Sequence, residues 1–169
     1  MQKSHEEAVE DSRDVLLRAI GEPEDLTFIR LYGNKGDELI YAGTRQLLAR
    51  RVYKEVSVRD LGGVSGHTAL VAGCGGWCGP YHDMVKHLPV IETKFERVII
   101  MPSSFDVSVP SVRSTLATTR ALVFARASSR HKNHDRFRHS CRTRALNASM
   151  TALSVGSPGR LKSGATPLK

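Results

Sequence analysis

Four stretches of this 169-residue chain hold residue types that could do chemistry. The first is Gly33-Asn34-Lys35-Gly36-Asp37, which closes the apolar run LTFIRLY and opens a helical pattern. At such a strand–helix turn glycines let the backbone adopt unusual φ angles and approach a ligand closely. Asn34 offers an amide, and Asp37 suits a helix start, where a carboxylate meets the positive end of the dipole. The same five residues also make a tight, well-capped turn, so ligand contact and capping both stand as readings. The spacing is neither G-x-G-x-x-G nor a Walker A loop, because Lys35 is not followed by Ser or Thr. A dinucleotide or triphosphate fingerprint is excluded.

The second stretch, Gly73-Cys74-Gly75-Gly76-Trp77-Cys78, follows an apolar segment. Its C-x3-C spacing lacks the two further ligands a zinc knuckle needs, so small buried cysteines and no metal site are expected. In the third, His82, Asp83 and His87 echo H-E-x-x-H, but histidines five apart fall on different faces of a helix. His82 is kept as a candidate at a cleft edge. The fourth, Ser103, Ser104 and Asp106, follows the strand-like RVIIMP, where the loops of an open α/β sheet meet ligand. Solvated loop residues are the alternative for each of these.

These stretches need elements to hold them. Ser4 with Glu7 three residues on forms a capping box for a helix over 4–20, ended by Gly21-Glu22-Pro23. Strands are expected at 26–32, 55–59, 68–72, 97–101 and 121–125, from their β-branched and apolar content. Helices are expected between them. One spans 37–51 with Leu39, Ile40, Gly43, Leu47 and Leu48 inward, one spans 81–88 until Pro89 ends or kinks it, and a weaker one spans 112–119. Strand–helix alternation with continuous apolar strands is the pattern of a parallel sheet with right-handed crossovers. The fold expected is α/β, with an N-terminal helix over 1–24 and a Rossmann-like parallel-sheet domain over 25–126.

Composition narrows the function classes. No run of eighteen apolar residues crosses a membrane, and the acidic start MQKSHEEAVEDSRD lacks the apolar region of a secretory signal. Three cysteines are too few for a disulfide framework, so a cytoplasmic location is expected. The net charge of +8 suggests a nucleic-acid binder until it is located. Residues 1–126 hold 16 Lys/Arg and 16 Asp/Glu; residues 127–169 hold nine Lys/Arg against Asp135 alone. The excess is a property of the last quarter, where Phe137 is the only aromatic, so nucleic acid is not the expected partner.

The ordered set N-x-G-D-x-x-I (Asn34, Gly36, Asp37, Ile40), AGCGGWCGPYH, RVIIMPSSF and ALVFAR resembles the polysaccharide pyruvyl transferases over about residues 26–126. The departures are Cys74 inside the usual glycine run and Ala127 where an acid would follow Arg126. The resemblance implies one half of a GT-B-like two-domain enzyme with its active site between two Rossmann-like halves. It implies transfer of the enolpyruvyl unit of phosphoenolpyruvate to a sugar of a bacterial exopolysaccharide or cell-wall glycan, as a ketal. Phosphoenolpyruvate is then the donor substrate, with no cofactor, and a saccharide or lipid-linked oligosaccharide is the acceptor. The substrate-binding residues it implies are Asn34, Gly36, Asp37, Gly75, Gly76, His82, Ser103 and Ser104, with Asn34 pointing into the cleft. No catalytic residue is assigned, because in that family the His and Arg groups serving the donor come largely from the second half. This chain is therefore expected to be truncated relative to the family and inactive alone. A glycosyltransferase of similar architecture is the alternative enzyme, and a non-catalytic binder led by the basic tail is the alternative outside enzymes.

After Arg126 the pattern changes within one residue. Residues 127–169 are rich in Arg, Ser, Thr and His, hold few large apolar residues and show no apolar period. A disordered basic tail is expected. Such an acid-poor composition is also what a GC-rich coding sequence yields out of frame, so a frameshift near codon 126 or 127 is expected. Translation of the downstream DNA in another frame should then resume at once with an acid and further strand–helix alternation.

Overall fold

Apolar runs too short for helices become the strands, and the amphipathic stretches between them become the helices. The computed structural model describes residues 4–126. Its strands are β1 (Leu26–Arg30), β2 (Lys54–Ser57), β3 (Gly66–Val71), β4 (Phe95–Ser103) and β5 (Leu122–Ala125). Its helices are α1 (His5–Ile20), α2 (Lys35–Leu47), α3 (Met84–Lys94) and α4 (Pro110–Thr118), and a 3-10 segment, Val58–Gly63, joins β2 to β3. The five strands form one sheet in the order β2-β1-β3-β4-β5, every neighbouring pair parallel. The α/β fold with a parallel sheet is as expected. The basic tail lies outside the described residues.

This order sets what lies on each face. β2 is on one side of β1, while β3, β4 and β5 follow on the other. Right-handed crossovers therefore put α2 on one face and the 3-10 segment, α3 and α4 on the opposite face. α1 joins the α2 face, where Leu16, Ile20, Tyr41 and Leu48 pack with Phe28, Leu70, Ala72, Ile99 and Met101. Side chains alternate along a strand. Ile29, Val71, Val98 and Ile100 are accordingly buried toward the other face, the side of Leu88, Ile91, Val112 and Leu116.

α1 starts at the capping box: Ser4 Oγ accepts from the Glu7 N–H at 3.2 Å, and the Glu7 carboxylate accepts from the Ser4 N–H at 2.8 Å. Gly21 ends it at φ 69°, the one positive φ among the described residues. Arg97 donates to the Ile20 carbonyl at 3.0 Å and to that of Ala19, and Arg51 donates to that of Gly21.

Two expectations are corrected. The buried stripe of α2 is Tyr41, Thr44 and Leu48, with Ile40 and Leu47 beside it, and not Leu39, which is 75% exposed, nor Gly43, which is also exposed. Two residues turn a helix by about 200°, so Leu39 and Tyr41 cannot face the same way. Tyr41 sets the rotation, because its hydroxyl donates to the buried Leu31 carbonyl at 2.9 Å. Pro89 neither ends nor starts a break: α3 begins at Met84 and runs through Pro89 to Lys94. The proline is on the exposed side, and burial of Met84, Leu88 and Ile91 against the sheet carries the helix past its missing N–H. Residues 81–83 belong instead to the turn before it, where the Tyr81 N–H donates to Cys78 O at 2.8 Å.

Candidate functional site

In an open parallel sheet the loops at the carboxyl ends of the strands form the ligand crevice. The crevice opens where neighbouring connections leave toward opposite faces. Here that point lies between β1, followed by α2, and β3, followed by α3.

β1 leaves through Leu31, Tyr32 and Gly33. Neither Gly33 nor Gly36 uses a positive φ. What Gly33 supplies is room, since a Cβ there would overlap the Asp37 side chain. Asn34 is the N-cap of α2: its Oδ1 accepts from the Gly36 N–H at 2.7 Å and the Asp37 N–H at 3.4 Å. Asp37 Oδ2 accepts in return from the Asn34 N–H at 2.9 Å. The turn is thus a reciprocal capping box, and the oxygens of Asn34 and Asp37 serve the helix. The amide nitrogen of exposed Asn34 has no hydrogen-bond partner among the described residues.

β3 leaves through Gly73, where a Cβ would stand 2.5 Å from the Pro102 carbonyl oxygen. Only glycine lets the ends of β3 and β4 come this close. The Cys74 N–H donates to Ser103 Oγ at 3.3 Å, and Ser103 Oγ donates to the Met101 carbonyl at 2.9 Å. Ser103 is buried, so its hydroxyl is a strap between strand ends. Ser104, one residue on, is exposed. Gly76 is packed, with a Cβ position 3.1 Å from Cys74 Sγ and 3.2 Å from Met84 Cγ, whereas Gly75 is exposed with nothing near. His82 Nδ1 lies 2.7 Å from the Gly79 carbonyl. Trp77 is fully buried against Phe105, ring centroids 5.2 Å apart, and its indole N–H has no partner among the described residues.

Burial pushes the Cys74 thiol up to about 11, so it is a protonated thiol at neutral pH and no nucleophile. Burial also raises the Cys78 thiol, which donates to the Ser104 carbonyl at 3.6 Å. Among the described residues no three His, Cys, Asp or Glu side chains gather to hold a metal ion. The Tyr41 hydroxyl, beneath the turn, is pushed up to about 12, first by burial and then by the Asp37 charge.

The expected site residues are therefore brought to one sheet edge. Asn34, Gly36 and Asp37 follow β1; Gly75, Gly76 and His82 follow β3; Ser103 and Ser104 close β4. The second group packs beside Leu31, just beyond β1, since a Cβ at Gly76 would lie 3.9 Å from Leu31 Cδ1, and the Asp37 charge is felt at Cys74.

Two features of this edge were not read from the sequence. Arg59, in the 3-10 segment, holds its Cζ 4.3 Å over the Tyr32 ring, and the His87 ring meets Tyr32 edge-on at 6.1 Å. On the other face a groove of about 500 Å³ runs between α1 and α2, lined by Val9, Arg13, Leu16, Ile40, Gly73 and Arg126 among others. Both join residues far apart in the chain. Comparison with family models, with curated proteins and with solved structures finds no match.

Proposed function

We propose that residues 25–126 are the N-terminal half of a polysaccharide pyruvyl transferase, one wall of a GT-B-like cleft. The single observation that supports the reading most is the convergence at one sheet edge of the stretches that carry the resemblance. The 33–37 turn, the 73–77 glycine loop and Pro102 to Ser104 follow the neighbouring strands β1, β3 and β4, and the glycine loop is hydrogen-bonded to Ser103 through the Cys74 N–H. The fourth stretch joins them through the Arg126 N–H, which donates to the Ser103 carbonyl at 2.9 Å.

The reaction adds two sugar hydroxyls to C2 of phosphoenolpyruvate. C3 takes a proton to become a methyl group, and the C2–O bond to phosphate breaks, releasing inorganic phosphate. The wall needs donors for sugar hydroxyls and for the donor's anionic groups. The Asn34 amide N–H groups, the Ser104 hydroxyl and the exposed backbone at Gly75 are the groups offered to an acceptor. A second half would supply the acid and further cations. The proposed acceptor is a saccharide or lipid-linked oligosaccharide met in the cytoplasm. Among the described residues no helix is long and apolar enough to cross a membrane.

The test is thermal unfolding of the purified chain with phosphoenolpyruvate, with acceptor oligosaccharides and with nucleotide sugars. A ligand at a hundred times its Kd stabilises by about 2.7 kcal/mol. Protection by phosphoenolpyruvate or an acceptor supports the reading. Protection by nucleotide sugars alone would point to a glycosyltransferase, and protection by none of the three at millimolar concentration would overturn the proposal.

A further inference from the structure

The capping box at the start of α2 raises a question about where a ligand's negative charge would go. The N–H groups of Gly36 and Asp37 are taken by Asn34 Oδ1, and the Asp37 carboxylate sits at the same helix end. That helix start is no phosphate cradle. Free cationic donors must come from elsewhere on the edge, and one cluster supplies them.

We infer that Tyr32, Arg59 and His87 form an oxyanion-binding site at the carboxyl end of β1, fitted to the phosphate or carboxylate of a small molecule. Tyr32 is the second residue beyond β1 and is 44% exposed. Arg59 comes from the segment after β2 and His87 from the first turn of α3. The right-handed crossovers bring both segments to one face, where Lys94 ties them by donating to the Gly62 carbonyl at 3.0 Å. Arg59 and His87 thus close on Tyr32 because the topology places them there.

Arg59 is not spent on an ion pair or a carbonyl as several other guanidinium groups are, and it is held over an aromatic ring. Arg30 and Arg45 pair with Glu55, and Arg51 pairs with Glu22. Arg97 and Arg120 spend their N–H groups on backbone carbonyls. The Arg59 side chain has no oxygen partner among the described residues, and its contact is the Tyr32 ring. A guanidinium held over a ring keeps its in-plane donors for a bidentate oxyanion. The ring also orders a long side chain before ligand arrives, which lowers the entropy lost on binding. His82 is engaged by Gly79, and His67 by Thr68 and Glu96, whereas His87 has only the Tyr32 ring among the described residues. Even as a neutral imidazole it keeps one N–H donor. The oxyanion site stands apart from the pyruvyl-transfer reading; its assignment to the anionic groups of phosphoenolpyruvate rests on that reading.

The experiment titrates the full chain with inorganic phosphate, with acetate and with phosphoenolpyruvate, following affinity by calorimetry and the His87 ring signals by NMR. Arg59→Gln and His87→Gln are compared with wild type, and Arg50→Gln, an exposed arginine elsewhere, controls for net charge. Loss of a charge-assisted hydrogen bond should weaken binding about tenfold or more in Arg59→Gln, less in His87→Gln and not at all in Arg50→Gln. Stronger response to phosphate than to acetate identifies a phosphate site, and the reverse a carboxylate site; either supports the inference. Arg59→Lys, which keeps charge without the fork, should recover part of the affinity. No oxyanion binding by wild type, or equal binding by wild type and Arg59→Gln, overturns the inference. If phosphoenolpyruvate protects wild type and Arg59→Gln alike, the transferase reading survives and this site falls. If phosphate binding depends on Arg59 but phosphoenolpyruvate binds no better than phosphate, the site stands and the transferase reading loses its support.

Discussion

Substitutions at Asn34 separate the two roles its side chain can hold. Oδ1 caps α2 through the N–H groups of Gly36 and Asp37, while the amide nitrogen faces outward. Asn34→Ala removes the cap acceptor but leaves the backbone N–H that Asp37 binds, so half of the box survives. Loss of a single N-cap costs about 1 kcal/mol. For a folded unit of this size that is a fall of about 4 °C in melting temperature. Asn34→Ser restores an acceptor of the right reach and should recover the stability to within a few tenths of a kcal/mol, as the N-cap ranking has it. Serine cannot restore the outward amide. Scanning fluorimetry with and without a protecting ligand reads both quantities at once. If Asn34→Ser melts like wild type and loses ligand protection, the amide serves the ligand. If it melts like wild type and keeps full protection, Asn34 is a cap and nothing more, and its place in the proposed site is refuted. If Asn34→Ala melts like wild type, the capping geometry itself is wrong.

Three further outcomes test the surroundings. Gly73→Ala should destabilise the fold by about 1–3 kcal/mol, read as a lowered urea midpoint, because its Cβ would meet the Pro102 carbonyl at 2.5 Å and two strand ends must part. Gly43→Ala should raise stability by about 0.5–1 kcal/mol, since Gly43 is inside α2 with nothing within 4 Å of the added methyl. Stability should be complete below pH 10 as far as Tyr41 is concerned and fall as pH rises toward about 12, because the fold favours the neutral phenol. Tyr41→Phe should flatten that alkaline decline in urea midpoints, while costing about 1 kcal/mol at neutral pH for the donor lost to the Leu31 carbonyl.

What the sequence disclosed was local. The Ser4 and Glu7 box needs only four residues, and it forms as read. The apolar runs became parallel strands because they carry their own signal, although β2 crosses to the far side of β1. Pro89 misled because the local rule sees a missing N–H, whereas the helix is held by Leu88 and Ile91 against a sheet made elsewhere. Leu39 misled for a like reason, since the rotation of α2 is set by a hydrogen bond from Tyr41 to the Leu31 carbonyl, just beyond β1. Ser103 looked like a ligand group, but its partner is Cys74, across a strand boundary that no short pattern reveals. The Tyr32, Arg59 and His87 cluster was invisible for the same cause: its members meet only once the order β2-β1-β3 is known.

Arg97 has a consequence for the order in which the chain takes shape. Among the described elements α1 is synthesised before the others, and its capping box can form at once. Its final carbonyls, however, are held by a guanidinium 77 residues later, on β4. Leu16 and Ile20 likewise complete their packing only when β3 and β4 bring Leu70, Ala72, Ile99 and Met101 to Phe28, Tyr41 and Leu48. A helix of this length is marginal alone in water. While these residues emerge, α1 therefore waits as an amphipathic segment for its last partners, and the earliest of the described elements is among the last to be fixed in place.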